Sequence, residues 1–219
     1  MSTELLSLCV TATLETLYMS FVSGALAMLF GIPLGVSLFV TRVDGLHAHA
    51  TLYQTLSGFA NTVRSLPFLI LMVAMIPLTR FIVGTSIGNT AAIVPLTFGA
   101  IPFVARLIEN SLLDVQPGLI EAGLAMGARV RTLVWRILLP EALPSIINGM
   151  TIMLITLVGY SAMAGTVGAG GLGDLAIRYG YQRFDTKVMV ATILILIVLV
   201  QLIQHTGDHL ARRYSHFGA

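Results

Sequence analysis

Four charged side chains lie close together in an otherwise apolar sequence, within the segment 121–140. One is a carboxylate, Glu121, and the other three are guanidinium groups, Arg129, Arg131 and Arg136. Such groups form ion pairs and charge-assisted hydrogen bonds, and the fork of an arginine suits acidic partners. The chemistry that this segment offers is therefore recognition of another molecule at the protein surface.

Proline and glycine divide this region into two short helices. Pro117 suits the first turn of a helix, because the N–H that it lacks would be unsatisfied there anyway. Gly127 suits the position after a helix end, where a left-handed backbone excludes most side chains. A second helix is expected over 129–138, ending before Pro140, which cannot continue it. Two charged helices joined by a bend are too polar to cross a membrane, so we expect a surface element.

Three other patterns suggest chemistry but lack the groups that it needs. The run 168–173 has the G-x-G-x-x-G spacing of dinucleotide sites, but an apolar span precedes it instead of a strand. His205 and His209 share a helix face without a third ligand, which favours contact with polar headgroups over a metal site. Ser161 has no His and Asp partners in a catalytic order. We therefore predict no catalytic residue, no metal site and no cofactor in this chain.

The composition is that of a membrane protein. Hydrophobic residues make up 56% of the chain and charged residues 10%, with a mean hydropathy of +0.91, whereas soluble domains carry about 25% charged residues. A formal net charge of +2 leaves no extended basic surface for nucleic acid. Lys187 is the only lysine and follows Thr186, so the chain has no Walker A sequence. Any ATP hydrolysis must come from a partner.

Five apolar stretches are long enough to cross a bilayer, so we predict an all-α, polytopic membrane protein with a single domain, 1–219. The predicted spans are about 14–40, 56–78, 91–108, 143–167 and 188–203, and the charged connection is about 114–140. Small residues recur every fourth position along the first span. They are Ser23, Ala27, Gly31 and Gly35. We expect this stripe to let another helix backbone approach closely.

The distribution of basic residues predicts the orientation of the chain, because cytoplasmic connections carry the excess of Lys and Arg. With five spans and the N-terminus outside, the cytoplasmic side holds Arg42, Arg106, Arg129, Arg131, Arg136, Arg212 and Arg213. The outer side, which includes a glycine-rich loop expected over 168–181, holds Arg80, Arg178, Arg183 and Lys187. We therefore place the N-terminus outside and the C-terminus in the cytoplasm.

One face of the fourth span combines a hydroxyl, a phenol and two thioethers, at spacings of four, three, four and three residues. Its members are Gly149, Met153, Thr156, Tyr160 and Met163. Polar groups exposed to lipid tails are costly, so this face should turn toward protein or toward a hydrated central path. Two interpretations stay open, a translocation path for a solute and plain helix packing with Thr156 bonded to its own backbone.

The second span begins near a charged residue, Arg64, which is followed by serine, leucine and proline. A guanidinium group well inside a bilayer is costly unless it reaches the interface or faces protein. We therefore expect Arg64 to extend to the headgroups or to face the protein interior.

Three passages carry a family resemblance. The first is Glu121-Ala122-Gly123, followed after three residues by Gly127 and after nine more by Ile-Leu-Leu-Pro, which ends at Pro140. The others are the runs 64–71 and 157–173. Together they resemble the permease subunits of bacterial ABC importers, especially those of the D/L-methionine type, over nearly the whole chain. The family usually has alanine where this chain has Gly123, a change that keeps the spacing.

The resemblance implies the type I importer permease fold, with the connection 114–140 as a cytoplasmic coupling helix. It implies a homodimer in the bacterial inner membrane, an ATP-binding subunit docked on each coupling helix, and a periplasmic or lipid-anchored substrate-binding protein outside. ATP would be bound by the partner, and the spans would give methionine alternating access to the two sides. The residues expected to couple the ATPase are Glu121, Ala122, Gly127, Arg129, Arg131 and Pro140. The residues expected to line the path are Met153, Thr156, Tyr160 and Met163.

Other functions remain open at this point. A related permease could carry another amino acid or a small solute, because no pattern in the sequence identifies a thioether substrate. A stand-alone secondary carrier would need intramembrane ionisable groups and often shows inverted repeats. Here only Arg64 is a candidate group, and no repeat is visible. A membrane-embedded enzyme would need a catalytic or metal constellation, and we find none in the sequence.

Overall fold

The computed structural model describes residues 3–215, and all regular structure in that range is helical. In chain order the helices are α1 (Thr3–Thr41), α2 (Ala50–Ser65), α3 (Phe68–Ala74), α4 (Ile76–Val83), α5 (Asn89–Leu113), α6 (Pro117–Ala125), α7 (Val130–Leu133), α8 (Leu139–Glu141), α9 (Leu143–Gly165), α10 (Gly171–Leu175) and α11 (Thr186–Ser215). Wider π-helical turns, Val134–Leu138 and Ala176–Tyr181, follow α7 and α10. Among the described residues, α1, α5, α9 and α11 are long and apolar enough to cross a bilayer, and counting the bent pair α2–α3 as one span, called the bent span below, gives five.

The helix α1 packs along α5 at the centre of the fold. A β-carbon on Gly31 would lie 2.6 Å from the Cβ of Val104, and one on Gly35 would lie 2.5 Å from the carbonyl oxygen of Ala105. No side chain fits in either gap, and Ala27 in the same stripe is fully buried. The close approach of two helix backbones, which the small-residue stripe predicted, is confirmed.

The second predicted span, 56–78, is not one continuous helix. The helix α2 ends at Ser65, and α3 leaves it at an angle of 105°. Leu66 between them has an extended backbone, with φ −81° and ψ 131°. The ring of Pro67 disfavours the helical conformation for the residue before it, so the chain turns there. The sequence predicted a span over 56–78 but no bend within it, so the bend before Pro67 is a feature that the structure adds.

The sequence predicted that the helix after Gly127 ends before Pro140. In the structure it continues past this residue. The chain passes through the π-helical turn Val134–Leu138 into α8, and Pro140 lies in the first turn of that helix. A proline in a first turn removes no helical hydrogen bond, so it does not end the helix there. The second half of the charged connection therefore leads almost directly into α9.

The segment 168–181, predicted as a glycine-rich loop, is largely helical, since it contains α10 and the π-helical turn after it. The carboxylate of Glu15 accepts a hydrogen bond from the N–H of Gly171 at 2.7 Å, and the hydroxyl of Thr16 accepts one from the N–H of Leu172 at 2.9 Å. These side chains satisfy N–H groups that a helix start leaves unpaired. The short helix is thus held by α1, more than 150 residues away along the chain, which local composition does not reveal.

The turn between α9 and α10 also depends on a close approach of these two helices. A β-carbon on Gly173 would overlap the backbone of Ala162, including its carbonyl oxygen. We expect Gly173→Val to lower the thermal stability of the purified complex by several degrees, because backbone atoms cannot move aside as the end of a side chain can. Gly159→Val is the matched control, since a β-carbon there meets no atom within 4 Å. Equal melting temperatures for the two variants would contradict this account of the turn.

Candidate functional site

The helix α6 begins and ends where the sequence predicted. Pro117 occupies the first turn, after Gln116 as the N-cap. Gly127 has a left-handed backbone with φ +75°. Its N–H donates to the carbonyl of Leu124 at 2.9 Å, and the N–H of Ala128 donates to the carbonyl of Gly123 at 3.0 Å. These two bonds form a Schellman motif, so the bend after α6 is hydrogen-bonded and depends on glycine.

The two halves of the charged connection pack on each other through Gly123. A β-carbon at this position would lie 2.5 Å from the Cδ1 atom of Leu133 and 3.3 Å from that of Ile137. Gly123 and Leu133 are both buried. The glycine that replaces the alanine usual in the resembled family therefore lets α6 lie closer to the following helical segment. The connection is a folded unit with a fixed angle between its parts.

The outer surface of this unit carries charges without protein partners. Glu121, Arg129, Arg131 and Arg136 are all exposed, and no side chain among the described residues pairs with any of them. Exposed charges without partners have little structural value in the isolated chain. They are available to pair with groups on another subunit. Ala122, Gly127 and Pro140 share this exposed surface.

The sequence reasoning missed the apolar part of the same surface. Met126 is 78% exposed and Trp135 is 60% exposed, and Leu124 is exposed beside them. Trp, Met and Arg are the residues enriched at protein interfaces. The available signal was the lone tryptophan between Arg131 and Arg136. We call the exposed face of residues 117–141 the docking surface.

The end of α11 lies beside the docking surface. Tyr214 and Ser215 border a cavity of about 400 Å³ together with Arg136, Pro140 and Glu141. Arg212 and Arg213, in the last turn of α11, are exposed at the same end of the fold. The basic residues predicted to be cytoplasmic on the two segments therefore lie on one side of the molecule.

A partly buried polar network connects α2 to α5. Arg106 forms an ion pair with Glu109, with 2.6 Å between the nitrogen and the oxygen, and donates hydrogen bonds to Ser57 and to the Asn61 side-chain oxygen. The hydroxyl of Tyr53 donates to the other oxygen of Glu109 at 3.2 Å. Glu109 is only 3% exposed. Every charged group in this network has a partner, so it joins the first half of the bent span to α5 at the end that leads into the docking surface.

A second site is a cavity of about 260 Å³ between the bent span, α5 and α9. Three of the four residues predicted to line a path border it, namely Met153, Thr156 and Tyr160. Met163 does not border this cavity and is instead 46% exposed further along α9. Gly149, on the same face, packs against the side chain of Leu107. The predicted stripe is therefore divided between the cavity, helix packing and the outer surface.

The polar groups in this cavity have distinct surroundings. The hydroxyl of Thr156 donates to the carbonyl of Ile152 at 2.8 Å, the backbone bond expected for a packing role. The ring of Tyr160 stacks on Phe68, with 4.4 Å between ring centroids and 5° between planes. Arg64 also borders the cavity and is exposed in the isolated chain.

The opposite end of the molecule carries an ion pair between Arg178 and Asp174, four residues apart around the π-helical turn. Asp174 is buried, and its carboxylate accepts a hydrogen bond from Arg178, which raises the pKa of that guanidinium group above its ordinary value. Arg183 lies over the ring of Tyr179, 4.5 Å from its centroid. These contacts order the segment between α10 and α11 on the side away from the docking surface.

An apolar helical bundle with an exposed, charged docking surface and a polar-lined internal cavity is the arrangement of a membrane permease that works with a partner subunit. The family described as "Binding-protein-dependent transport system inner membrane component" matches residues 16–216 of this chain. The chain belongs to this family of inner-membrane transport components.

Individual relatives extend the comparison. The chain is 58% identical over 209 residues to the "Probable D-methionine transport system permease protein MetI" of Vibrio cholerae, covering 95% of this chain and 93% of that protein. It is 57% identical over 165 residues to the D-methionine transport system permease protein MetI of Escherichia coli K12, covering 75% and 76%. A chain from an inward-facing structure of the MetNI methionine ABC transporter is 54% identical, with a TM-score of 0.96 and coverage of 98% of this chain and 99% of that one.

Proposed function

We propose that this chain is the permease subunit of an ATP-driven ABC importer that carries methionine across the bacterial inner membrane. The observation that carries the proposal is the likeness, at a TM-score of 0.96 and 54% identity, to a chain of a methionine ABC transporter. The match covers 93% of the Vibrio cholerae relative and 99% of the chain from the methionine transporter structure.

In the proposed mechanism, ATP is bound and hydrolysed by a separate subunit that sits on the docking surface. The partnerless charges Glu121, Arg129 and Arg131 pair with opposite charges on that subunit, and the exposed Met126 and Trp135 enter its apolar recesses. Closure of the ATPase moves the docking surface as a rigid unit. Because this unit leads directly into α9, the movement reaches the cavity-lining face of that span.

The proposed assembly contains two copies of this chain, two ATP-binding subunits and a substrate-binding protein on the outer side. The binding protein is periplasmic or lipid-anchored and meets the ordered segment between α10 and α11. The chain itself needs no cofactor in this scheme. Each conformation of the transporter opens the central path to one side only, and ATP stabilises one conformation over the other.

The substrate test is uptake of labelled methionine by cells that lack other methionine importers and express this chain with its ATPase and binding protein. We expect unlabelled methionine to abolish the signal and other amino acids at equal concentration to leave most of it. Efficient competition by a different amino acid or solute would show that methionine is not the preferred substrate. It would leave the assignment as an importer permease unchanged.

We also propose that the N-terminus lies outside and the C-terminus in the cytoplasm. A cysteine at Gln182, next to Arg183, should react with an impermeant maleimide applied to intact cells, in a Cys9→Ser background. A cysteine at Thr132, next to Arg131, should react only after the cells are permeabilised. Both positions are exposed in the isolated chain, so burial within it does not decide the result. The reverse pattern would overturn the orientation and the cytoplasmic docking surface with it.

A further inference from the structure

The cavity between the bent span and α9 lies near the middle of the long helices α5 and α9. On α5 it is bordered by Gly99, Ala100 and Phe103, close to the middle of the 25-residue helix. On α9 it is bordered by Met153 and Thr156, close to the middle of that 23-residue helix. Its volume of about 260 Å³ is near the lower end of the range of about 300–1,000 Å³ for ligand pockets, which suits a small solute.

Arg64 is the one basic or acidic residue among those that border this cavity. It lies in the last turn of α2, just before the chain bends at Leu66 and Pro67. It is exposed in the isolated chain, and no described residue forms an ion pair or side-chain hydrogen bond with it. An unpaired cation at this depth is costly unless an anion reaches it, and such residues mark the paths of solutes.

The remaining walls complement the other parts of an amino acid. The hydroxyl of Tyr160 has no hydrogen-bond partner among the described residues, and that of Thr156 uses its hydrogen for Ile152 and keeps its lone pairs. Both oxygens can accept hydrogen bonds from an ammonium group. Met153 and Leu71 supply flexible and apolar surface, which suits an unbranched apolar side chain.

We propose that this cavity is a transient binding site for a zwitterionic amino acid with an apolar side chain, whose carboxylate pairs with Arg64. The proposal rests on the proposed function, because it assigns the site that a methionine would occupy within the permease itself. Arg64 fixes the carboxylate through paired N–H donors, and the hydroxyls of Tyr160 and Thr156 receive the ammonium group. The bend at Pro67 is what brings Arg64 to the cavity instead of the lipid.

Protection of a cysteine tests this site without the binding protein. The probe is Leu66→Cys, at an exposed position that borders the cavity and has no part in the proposed binding, in a Cys9→Ser chain purified in detergent with its ATPase subunit and treated with a small thiol-reactive reagent. Two ligands are compared, methionine and 3-(methylthio)propylamine, which is the same molecule without the carboxylate. We expect the concentration of methionine that protects half of the cysteine to be at least about tenfold lower than the corresponding concentration of the amine. The reason is that the amine lacks the carboxylate and cannot form the charged hydrogen bonds to Arg64.

Substitutions of the arginine sharpen the test. Arg64→Met should raise the half-protecting methionine concentration by about tenfold and remove the preference over the amine. Arg64→Lys should restore part of that preference, because it keeps the charge but not the paired donors. Arg80→Met is the matched control, since Arg80 bonds to Ser86 away from the cavity. In this variant methionine should protect the cysteine at the same concentration as in the chain that keeps Arg80.

Each result decides the proposal. Equal protection by the two ligands, protection by neither, or unchanged protection in Arg64→Met would overturn it. If Arg64→Met fails to assemble with the ATPase, the comparison of the two ligands on the chain that keeps Arg64 still decides. Failure of the proposed function is a separate result, because it would show as absence of methionine uptake by the complete, unsubstituted transporter.

Discussion

Replacing Gly127 with valine is expected to reduce methionine uptake at least tenfold and to weaken association of the permease with its ATPase subunit. The backbone of Gly127 is left-handed, with φ +75°. A left-handed conformation costs an ordinary residue about 1–2 kcal/mol, and a β-branched one resists it more strongly. The valine would turn the backbone to negative φ, break the two hydrogen bonds that end α6 and change the angle between the halves of the docking surface.

Gly58→Val is the control for this substitution. Gly58 lies within α2, away from the docking surface and outside the left-handed region, and a β-carbon at either glycine meets no atom within 4 Å. Steric clash is therefore absent at both positions, and backbone conformation is the difference between them. Membrane insertion, measured as the yield of full-length protein in the membrane fraction, should be normal for both variants. Wild-type uptake and ATPase association in Gly127→Val would refute the role given to the bend.

Removing the carboxylate of Glu109 is expected to destabilise the permease more than any other single change in the polar network. The pair with Arg106 is buried on the Glu109 side, so Glu109→Leu leaves a guanidinium group without its counter-ion. Breaking a buried ion pair in this way costs about 3–5 kcal/mol, whereas replacing both partners by apolar residues is often neutral. The double variant Arg106→Met with Glu109→Leu should therefore recover much of the loss.

The measurement for this network is the melting temperature of the purified complex, with uptake recorded in parallel. We expect Glu109→Leu to melt well below the double variant and the double variant close to the unsubstituted complex. Tyr53→Phe removes only the hydrogen bond of one neutral donor and should have a small effect. A single variant as stable as the double variant would show that Arg106 does not need the carboxylate of Glu109 as its counter-ion.

Local rules predicted the features of this chain that depend on a few neighbouring residues. Pro117 and Gly127 begin and end α6 because proline and glycine restrict or free the backbone wherever they stand. The glycines of α1 predicted a close helix contact for the same reason, although their partner on α5 was not identified. The residue types were sufficient in these cases because the cause is steric and local.

Other features depend on contacts that are distant in sequence, and the sequence did not reveal them. The helix α10 forms where a loop was expected because Glu15 and Thr16, on α1, bond to its first turn. Gly149 was grouped with the path residues by its spacing, but it packs on Leu107. The span over 56–78 was predicted from its apolar residues, and no bend was assigned to Pro67, where the structure turns by 105°.

The most direct test of the account is uptake by the reconstituted transporter. The chain, its ATPase subunit and its binding protein are placed in proteoliposomes, and accumulation of labelled methionine is followed with ATP available to the ATPase. The account predicts accumulation that requires hydrolysable ATP and the binding protein, and that is lost in Gly127→Val while the ATPase subunit itself still hydrolyses ATP. Methionine accumulation without ATP, or undiminished accumulation in Gly127→Val, would contradict it.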